Sequence, residues 1–222
     1  MDTTSAASAL TAPEAITRRR ATRKFDASRP LPDELLKRIL SLATHAPSGF
    51  NLQPWRFLVV RSAASRRSLR ACAYNQPKVE EAPVVVVVLG YHTPYQSHLE
   101  EIVAQSVALG SYSEEIGKAV RASAFQAQEY VTDRKLWATR STMLAAATLM
   151  IAAESLGVSS APMEGFEEQK VKAAFGVPDD HSVCCLIALG YSTETPKFPG
   201  RLGLSEVCYE DHFGRPWTLG EA

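Results

Sequence analysis

Apolar residues recur along the chain with two different spacings. In PDELLKRILSLATHA, residues 32–46, the residues Leu35, Leu36, Ile39, Leu40 and Ala43 fall on one stripe of a helical repeat. Pro32 suits the first helical position, Asp33 and Glu34 suit the positive end of the helix dipole, and Pro47 stops the helix. Shorter helices are predicted over Pro13 to Arg20, Ser65 to Ala71 and Glu167 to Phe175, the last closed by Gly176 and Pro178. Arg134 to Leu156 reads as a long helix, apolar nearly all round at LAAATLMIAA and ended by Gly157. Such a helix belongs at the centre of a fold. From about His98 to Thr132 the period is helical but weak, and the residues are polar. PVVVVVLG, from Pro83, and VCCLIALGYS are unbroken apolar runs, as in strands covered on both faces, and Phe57 to Val60 reads as a further strand.

The pattern defines an α+β chain with a few buried strands, several helices and one central helix. It shows no internal repeat, linker or second core. Residues 1–12 read as a flexible lead-in, without the basic start and apolar run of a signal peptide, and residues 13–222 as one domain. After Gly190 the periodicity fades. The tail through Trp217 carries apolar residues without a core of its own, so it must lie on this domain or on a partner.

Composition narrows the function classes. The 222 residues are 45% hydrophobic, enough for a sizeable core. Lys plus Arg number 24, Asp plus Glu number 24, and this balance argues against a nucleic-acid binder. The run MLAAATLMIAA is too short for a membrane span and sits between Arg140 and Glu154. The four cysteines, Cys72, Cys184, Cys185 and Cys208, form no CxxC pair, and adjacent strand residues 184 and 185 should face opposite ways. They read as reduced, buried thiols of a cytoplasmic protein. The five histidines lack ligand spacing, so no metal site is expected.

Five stretches carry candidate chemistry. RRRATRKF, Arg18 to Phe25, supplies guanidinium forks that match phosphate oxygens, or else a solvated basic face. HAPSGFNLQPWRF, His45 to Phe57, offers uncharged donors and acceptors at Ser48, Asn51 and Gln53 on a proline-stiffened loop; a turn satisfying its own backbone is the plainer alternative. SSAPMEGF, Ser159 to Phe166, reads as a connector whose backbone N–H groups are available to a ligand, with Gly165 permitting close approach. YNQPKVEEAP places Asn75 and Lys78 before a buried strand, and GRL adds Arg201. GxGxxG, a Walker loop and GxSxG are all absent, and no carboxylate pair stands out. Neutral polar groups and arginines without a catalytic acid suggest that a cofactor does the chemistry.

In this order and spacing, RRATRKF, APSGFNLQPWRF, YNQPKVEEAP, APMEGF and GRL resemble the nitroreductase-like FMN-dependent oxidoreductases, over roughly Arg18 to Glu206. The YNQPK run resembles most the bacterial NAD(P)H nitroreductase and quinone-reductase branch. The resemblance implies a central, mostly antiparallel sheet flanked by helices. It also implies an intertwined homodimer, its C-terminal tails extending onto the partner subunit and its FMN sites at the interface. Arg19, Arg20 and Arg23 then match positions that hold the FMN phosphate, ribityl chain and ring edge. Pro47, Ser48, Gly49 and Asn51 match the loop beside the flavin of the other subunit. Asn75 and Lys78 match positions at the pyrimidine edge. Pro162, Met163, Glu164 and Gly165 match the segment stacked on the ring, and Arg201 matches the C-terminal phosphate arginine. Glu164, through its backbone, and Lys78 are the candidate catalytic groups, stabilising charge on reduced flavin. Gln53 and Trp55 anchor the loop to the strand that follows.

The implied activity is transfer of hydride from NADH or NADPH through flavin N5 to nitroaromatic or quinone acceptors by a ping-pong mechanism. Other flavin chemistry on the same scaffold (dehalogenation, enoate reduction, flavin cleavage) and plain sequestration of FMN are the alternatives. A lid is expected between about Tyr91 and Trp137, with Phe125, Tyr130 and Trp137 shaping an acceptor pocket or serving the core. Two residues depart from the family pattern. Ala21 replaces the usual Ser, and Pro199 replaces a common second basic residue, so phosphate contacts should rest more on Arg19 and Arg201.

Overall fold

The computed structural model describes residues 9–217. Its centre is a four-stranded antiparallel sheet in the order β1-β2-β4-β3, formed by β1 (Trp55–Val60), β2 (Val84–Tyr91), β3 (Ser159–Met163) and β4 (His181–Gly190). β2 and β4 are the inner pair. Val84 to Val88 are fully buried, as the unbroken apolar run requires.

Both faces of that pair are covered. On one face Val84, Val86, Val88, Cys185 and Ile187 pack against α2 (Asp33–Ala43) and α8 (Arg134–Ser155), through Leu36, Ile39, Ala146 and Leu149. On the other, Val85, Val87, Leu186 and Ala188 pack against α3 (Ala63–Cys72), α4 (Lys78–Glu81) and α9 (Glu168–Phe175), through Leu69, Val79 and Val171. α8 has 22 residues and a window of mean hydropathy 1.2, so by length and composition alone it would pass for a membrane span. Its buried residues, among them Ala138, Thr142, Ala145 and Leu149, instead run the length of the sheet.

Three elements differ from the sequence expectations. SSAPM is not a connector but the edge strand β3, with Ser160 opposite Leu189 and Met163 opposite Leu186. Pro162 hid it, yet proline is tolerated on an edge strand because its missing N–H costs no ladder bond there. A short helix, α5 (Pro94–Ser97), that the pattern did not predict precedes the weak helical stretch expected from about His98 to Thr132, which forms α6 (Leu99–Ala108) and α7 (Glu114–Glu129). Finally, Cys184 and Cys185 do not face opposite ways. A bulge between the Val88–Cys185 and Leu89–Val183 pairs inserts one residue and turns Cys184 toward Thr139 of α8, the face that Cys185 also occupies. The thiols are unbridged, and burial pushes that of Cys185 up to about 12. Of the expected lead-in, residues 1–8 lie outside the described residues; α1 (Ala12–Arg18) begins at its last position, one residue before the expected Pro13.

Among the described glycines, Gly190 at the C-terminal end of β4 has the least room for a side chain. A Cβ on Gly190 would lie 2.6 Å from Pro83 Cδ and 3.0 Å from Phe25 Cδ1. The Pro83 ring cannot retreat without moving backbone, and Phe25 is itself buried in the core. Gly190→Ala should therefore destabilise the protein by about 1–3 kcal/mol, read as a lower urea midpoint at unchanged slope.

Candidate functional site

The arginine segment following α1 is held at the edge of the sheet. Ala21 bridges Ser160, Thr22 N–H donates to Ser160 O at 3.0 Å, and Phe25 bridges Ser192. Arg23 N–H donates to the Glu194 carboxylate at 3.0 Å. These contacts fold the segment along β3 and the chain leaving β4. A cleft of about 580 Å3 opens there, between Arg19, Arg20 and Arg23 on one side and Lys78, Lys197 and Arg201 on the other. Four of the five sequence stretches thus meet or border one another, although 182 positions (201 minus 19) separate Arg19 from Arg201.

The electrostatics of this cleft are unusual for a chain of zero net charge. Six cations line it with one carboxylate, Glu194. Among the described residues none of the six enters an ion pair, whereas seven lysine or arginine pairs form elsewhere. Arg19 Nη1 is buried without a partner, which is costly unless a ligand supplies an acceptor. Arg20 donates to Thr17 O and Arg19 O, and its guanidinium lies 4.6 Å from the centre of the Phe198 ring. Arg201 lies 5.3 Å from the same ring and donates to Gly200 O. Burial, then the nearby Arg23, lower the pKa of Lys78. Below the sheet edge, burial raises the pKa of Glu154, and Arg18, Arg19 and Arg20 oppose that shift.

The Tyr74–Lys78 turn joins the cleft to the Glu164 loop. Tyr74 and Asn75 both adopt left-handed backbone, with φ of 50 and 56°. For residues other than glycine such geometry is uncommon, and it concentrates at functional sites. Lys78 enters the cleft, while Gln76 Nε2 reaches the Gly165 carbonyl at 2.8 Å. Sequence reasoning passed over Gln76, because an isolated amide carries no spacing signal. Met163 is buried at the end of β3, the Glu164 side chain is exposed, and Phe166 N–H donates to Glu164 O.

Pro47, Ser48, Gly49 and Asn51 do not join this cleft within the chain. They precede β1, whose Trp55 pairs with Gly90, while the arginine segment sits beyond Val60 and Val85. Five residue steps of strand, roughly 17 Å, separate the two ends. Phe50, Asn51 and Gln53 are again left-handed. Ser48 Oγ accepts from Gln53 N–H at 2.9 Å, so the loop partly satisfies itself, and Gln53 O accepts from Arg56. Leu52, Tyr95, Leu99, Ile102 and Val103 form a separate core with Trp137, which seats α5 to α7 over this loop. Of the three aromatics expected to shape an acceptor pocket or serve the core, Trp137 is half-buried there, while Phe125 and Tyr130 are exposed at 49% and 84%. A further cavity of about 600 Å3 lies beside β1, but it offers Arg56, His98 and Glu101 rather than a cluster of cations.

An α+β sheet with a cationic cleft at one end and a helical cover at the other defines a class. The chain belongs to the Nitroreductase family, whose profile matches residues 16–191. Among its relatives, "NADH dehydrogenase" of Thermus thermophilus is 39% identical, over 89% of this chain and 95% of that one. YodC of Bacillus subtilis, provisionally named an NAD(P)H nitroreductase, is 31% identical over 85% and 93%. A provisional nitroreductase of Exiguobacterium sibiricum, solved in complex with FMN, superposes with TM-score 0.85 at 28% identity, over 92% of this chain and 99% of that one.

The lowered pKa of Lys78 has a thermodynamic consequence. Where Lys78 is protonated in both states, the folded form bears the whole burial cost. As pH climbs through the folded-state pKa toward the unfolded value, the folded form sheds its proton first and that cost disappears. Lys78→Met should therefore raise the melting temperature of the ligand-free protein at neutral pH, with the advantage shrinking as pH approaches the ordinary lysine value of about 10.4. Thermal scans of both proteins across that range check the sign.

Proposed function

We propose that the protein is an FMN-dependent oxidoreductase that takes electrons from NADH or NADPH and passes them to a nitroaromatic or quinone acceptor. The observation that carries this reading is a cleft lined by six cations that form no ion pair among the described residues, one of them Arg19 with its Nη1 buried and without a partner there. That donor set fits a phosphate monoester dianion. The FMN-bound relative and the relatives named for NADH or NAD(P)H support the cofactor and the donor.

On this reading Arg19 and Arg201 bind the phosphate, and Arg20, fixed by Thr17, Arg19 and Phe198, orders the rim. Arg23, Asn75 and Lys78 bind the polar edge of the isoalloxazine, and Pro162, Met163, Glu164 and Gly165 border its ring. The chemistry that FMN supplies when bound is two-electron transfer between nicotinamide and acceptor. The Lys78 ammonium and the backbone N–H groups of the Glu164–Gly165 loop offer positive potential where negative charge develops. A single site used in turn by donor and acceptor accounts for the lack of any dinucleotide motif.

The loop Pro47 to Asn51 and its helical cover lie at the far end of the sheet. A second copy of the chain would bring them to the cleft, which supports a homodimer. The tail fits the same arrangement. Leu202, Leu204, Val207 and Phe213 are all more than half exposed, the last at 91%, and therefore lack cover in one chain.

Two experiments test this. FMN fluorescence titration should show tight binding, and Arg19→Ala combined with Arg201→Ala should weaken it by roughly a hundredfold to ten-thousandfold, two charged hydrogen bonds of about 1.5–3 kcal/mol each, with unchanged circular dichroism. Parallel double-reciprocal lines are expected when donor and acceptor are both varied, and intersecting lines would exclude the shared site. Separately, a chain ending at Gly203 should sediment as monomer and lose flavin, while the full chain sediments as dimer; a dimeric truncated chain would remove the tail from the interface.

A further inference from the structure

We propose that Gln76 is a positioning residue, whose side-chain amide clamps the Gly165 carbonyl and thereby fixes the direction in which the Gly165 N–H is presented to the flavin. The inference rests on the FMN reading above and goes beyond it by assigning a role to a residue outside the contact set.

The geometry is specific. Gln76 Nε2 donates to Gly165 O at 2.8 Å and to Ala73 O at 3.2 Å, so one amide ties the loop after β3 to the turn before α4. A Cβ on Gly165 would stand 3.3 Å from Gln76 Nε2 and 3.6 Å from Tyr74 Cδ2, so the turn presses directly on the glycine. The clamping turn is itself fixed. Asn75 N–H donates to Arg70 O, Arg70 Nε donates to Asn75 O, and Gln76 N–H donates to Ala73 O. Holding Tyr74 and Asn75 left-handed costs energy, and the surroundings must impose it.

Gly165 needs such a clamp. Without a Cβ its two backbone dihedrals turn freely, and the peptide planes on either side can reorient independently. The plane after Gly165 has its carbonyl held by Gln76, and its N–H, that of Phe166, donates to Glu164 O, the carbonyl of the very plane that carries the Gly165 N–H, so the clamp reaches that N–H through this bond. Among the described residues the Gly165 N–H itself meets no acceptor. It is a donor left open on a loop otherwise tied down, beside a turn that also delivers Lys78 to the cleft.

A pair of near-isosteric variants separates clamping from packing. In Gln76→Glu the protonated carboxyl still donates to the carbonyl, whereas the carboxylate repels it. In Gln76→Met no donor remains at any pH. Neighbouring ionisable groups, Lys78, Glu164 and Tyr74, are common to all three proteins and cancel when each affinity is divided by wild type. FMN affinity of Gln76→Glu should climb toward wild type as pH falls to about 4, near the ordinary glutamate value of about 4.3, and lie about tenfold below it near pH 8, the loss of one hydrogen bond. Gln76→Met should be weaker by a similar factor at both values. The visible band of bound flavin should shift in the weakened states only. Constant ratios for Gln76→Glu across pH, with an unshifted band, would reduce Gln76 to a packing residue. A wild-type protein that binds no FMN would overturn the cofactor reading and the clamp together, which is a different result from a wild type that binds while both variants bind equally well.

Discussion

The constraint on which this fold depends is that its two inner strands have no face left for water. Val84 to Val88 and Leu186 to Leu189 are fully buried, so helices must cover both sides. Polar chemistry is then possible only at the two ends of the strands and along the outer edges. The molecule uses both ends, and differently. One gathers cations around the turn out of β4. The other carries a stiff neutral loop under its own small core of Leu52, Leu99 and Trp137. Because they are separated by the length of the sheet, neither end is a complete site for a cofactor with a charged tail and a neutral ring.

Much of the scaffold was legible from periodicity. The valine run, the long apolar helix and the amphipathic helix after Pro32 owe their form to local sequence, and they appear where the pattern placed them. The misses have physical causes. β3 is short, contains Pro162 and lies on an edge, so it lacks the apolar run by which inner strands announce themselves. The bulge at Cys184 is a register property of two strands, and neither strand alone encodes it.

For the site, residue type was more informative than pattern. The arginine run and Arg201 suggested an anion, but only the bridges of Ala21 to Ser160 and of Phe25 to Ser192 bring them to one cleft. Gln76 was invisible for the opposite reason. Its partner is a backbone carbonyl 89 positions away, and a carbonyl leaves no trace in sequence. Left-handed residues at Phe50, Asn51, Tyr74 and Asn75 mark the same two stretches independently of any motif, since strain of that kind persists only where the surroundings impose it.

The isolated bridges at Ala21 and Phe25 also bear on how the protein is made. A chain is synthesised from its N-terminus, and Arg19 to Arg23 emerge long before the residues that hold them, Ser160 and Ser192. Until those arrive, the arginines are a loose basic segment with no fixed spacing. Arg201 comes later still. The cationic cleft can therefore assemble only after Arg201 has left the ribosome, and any ligand that needs both flanks of it must wait until then.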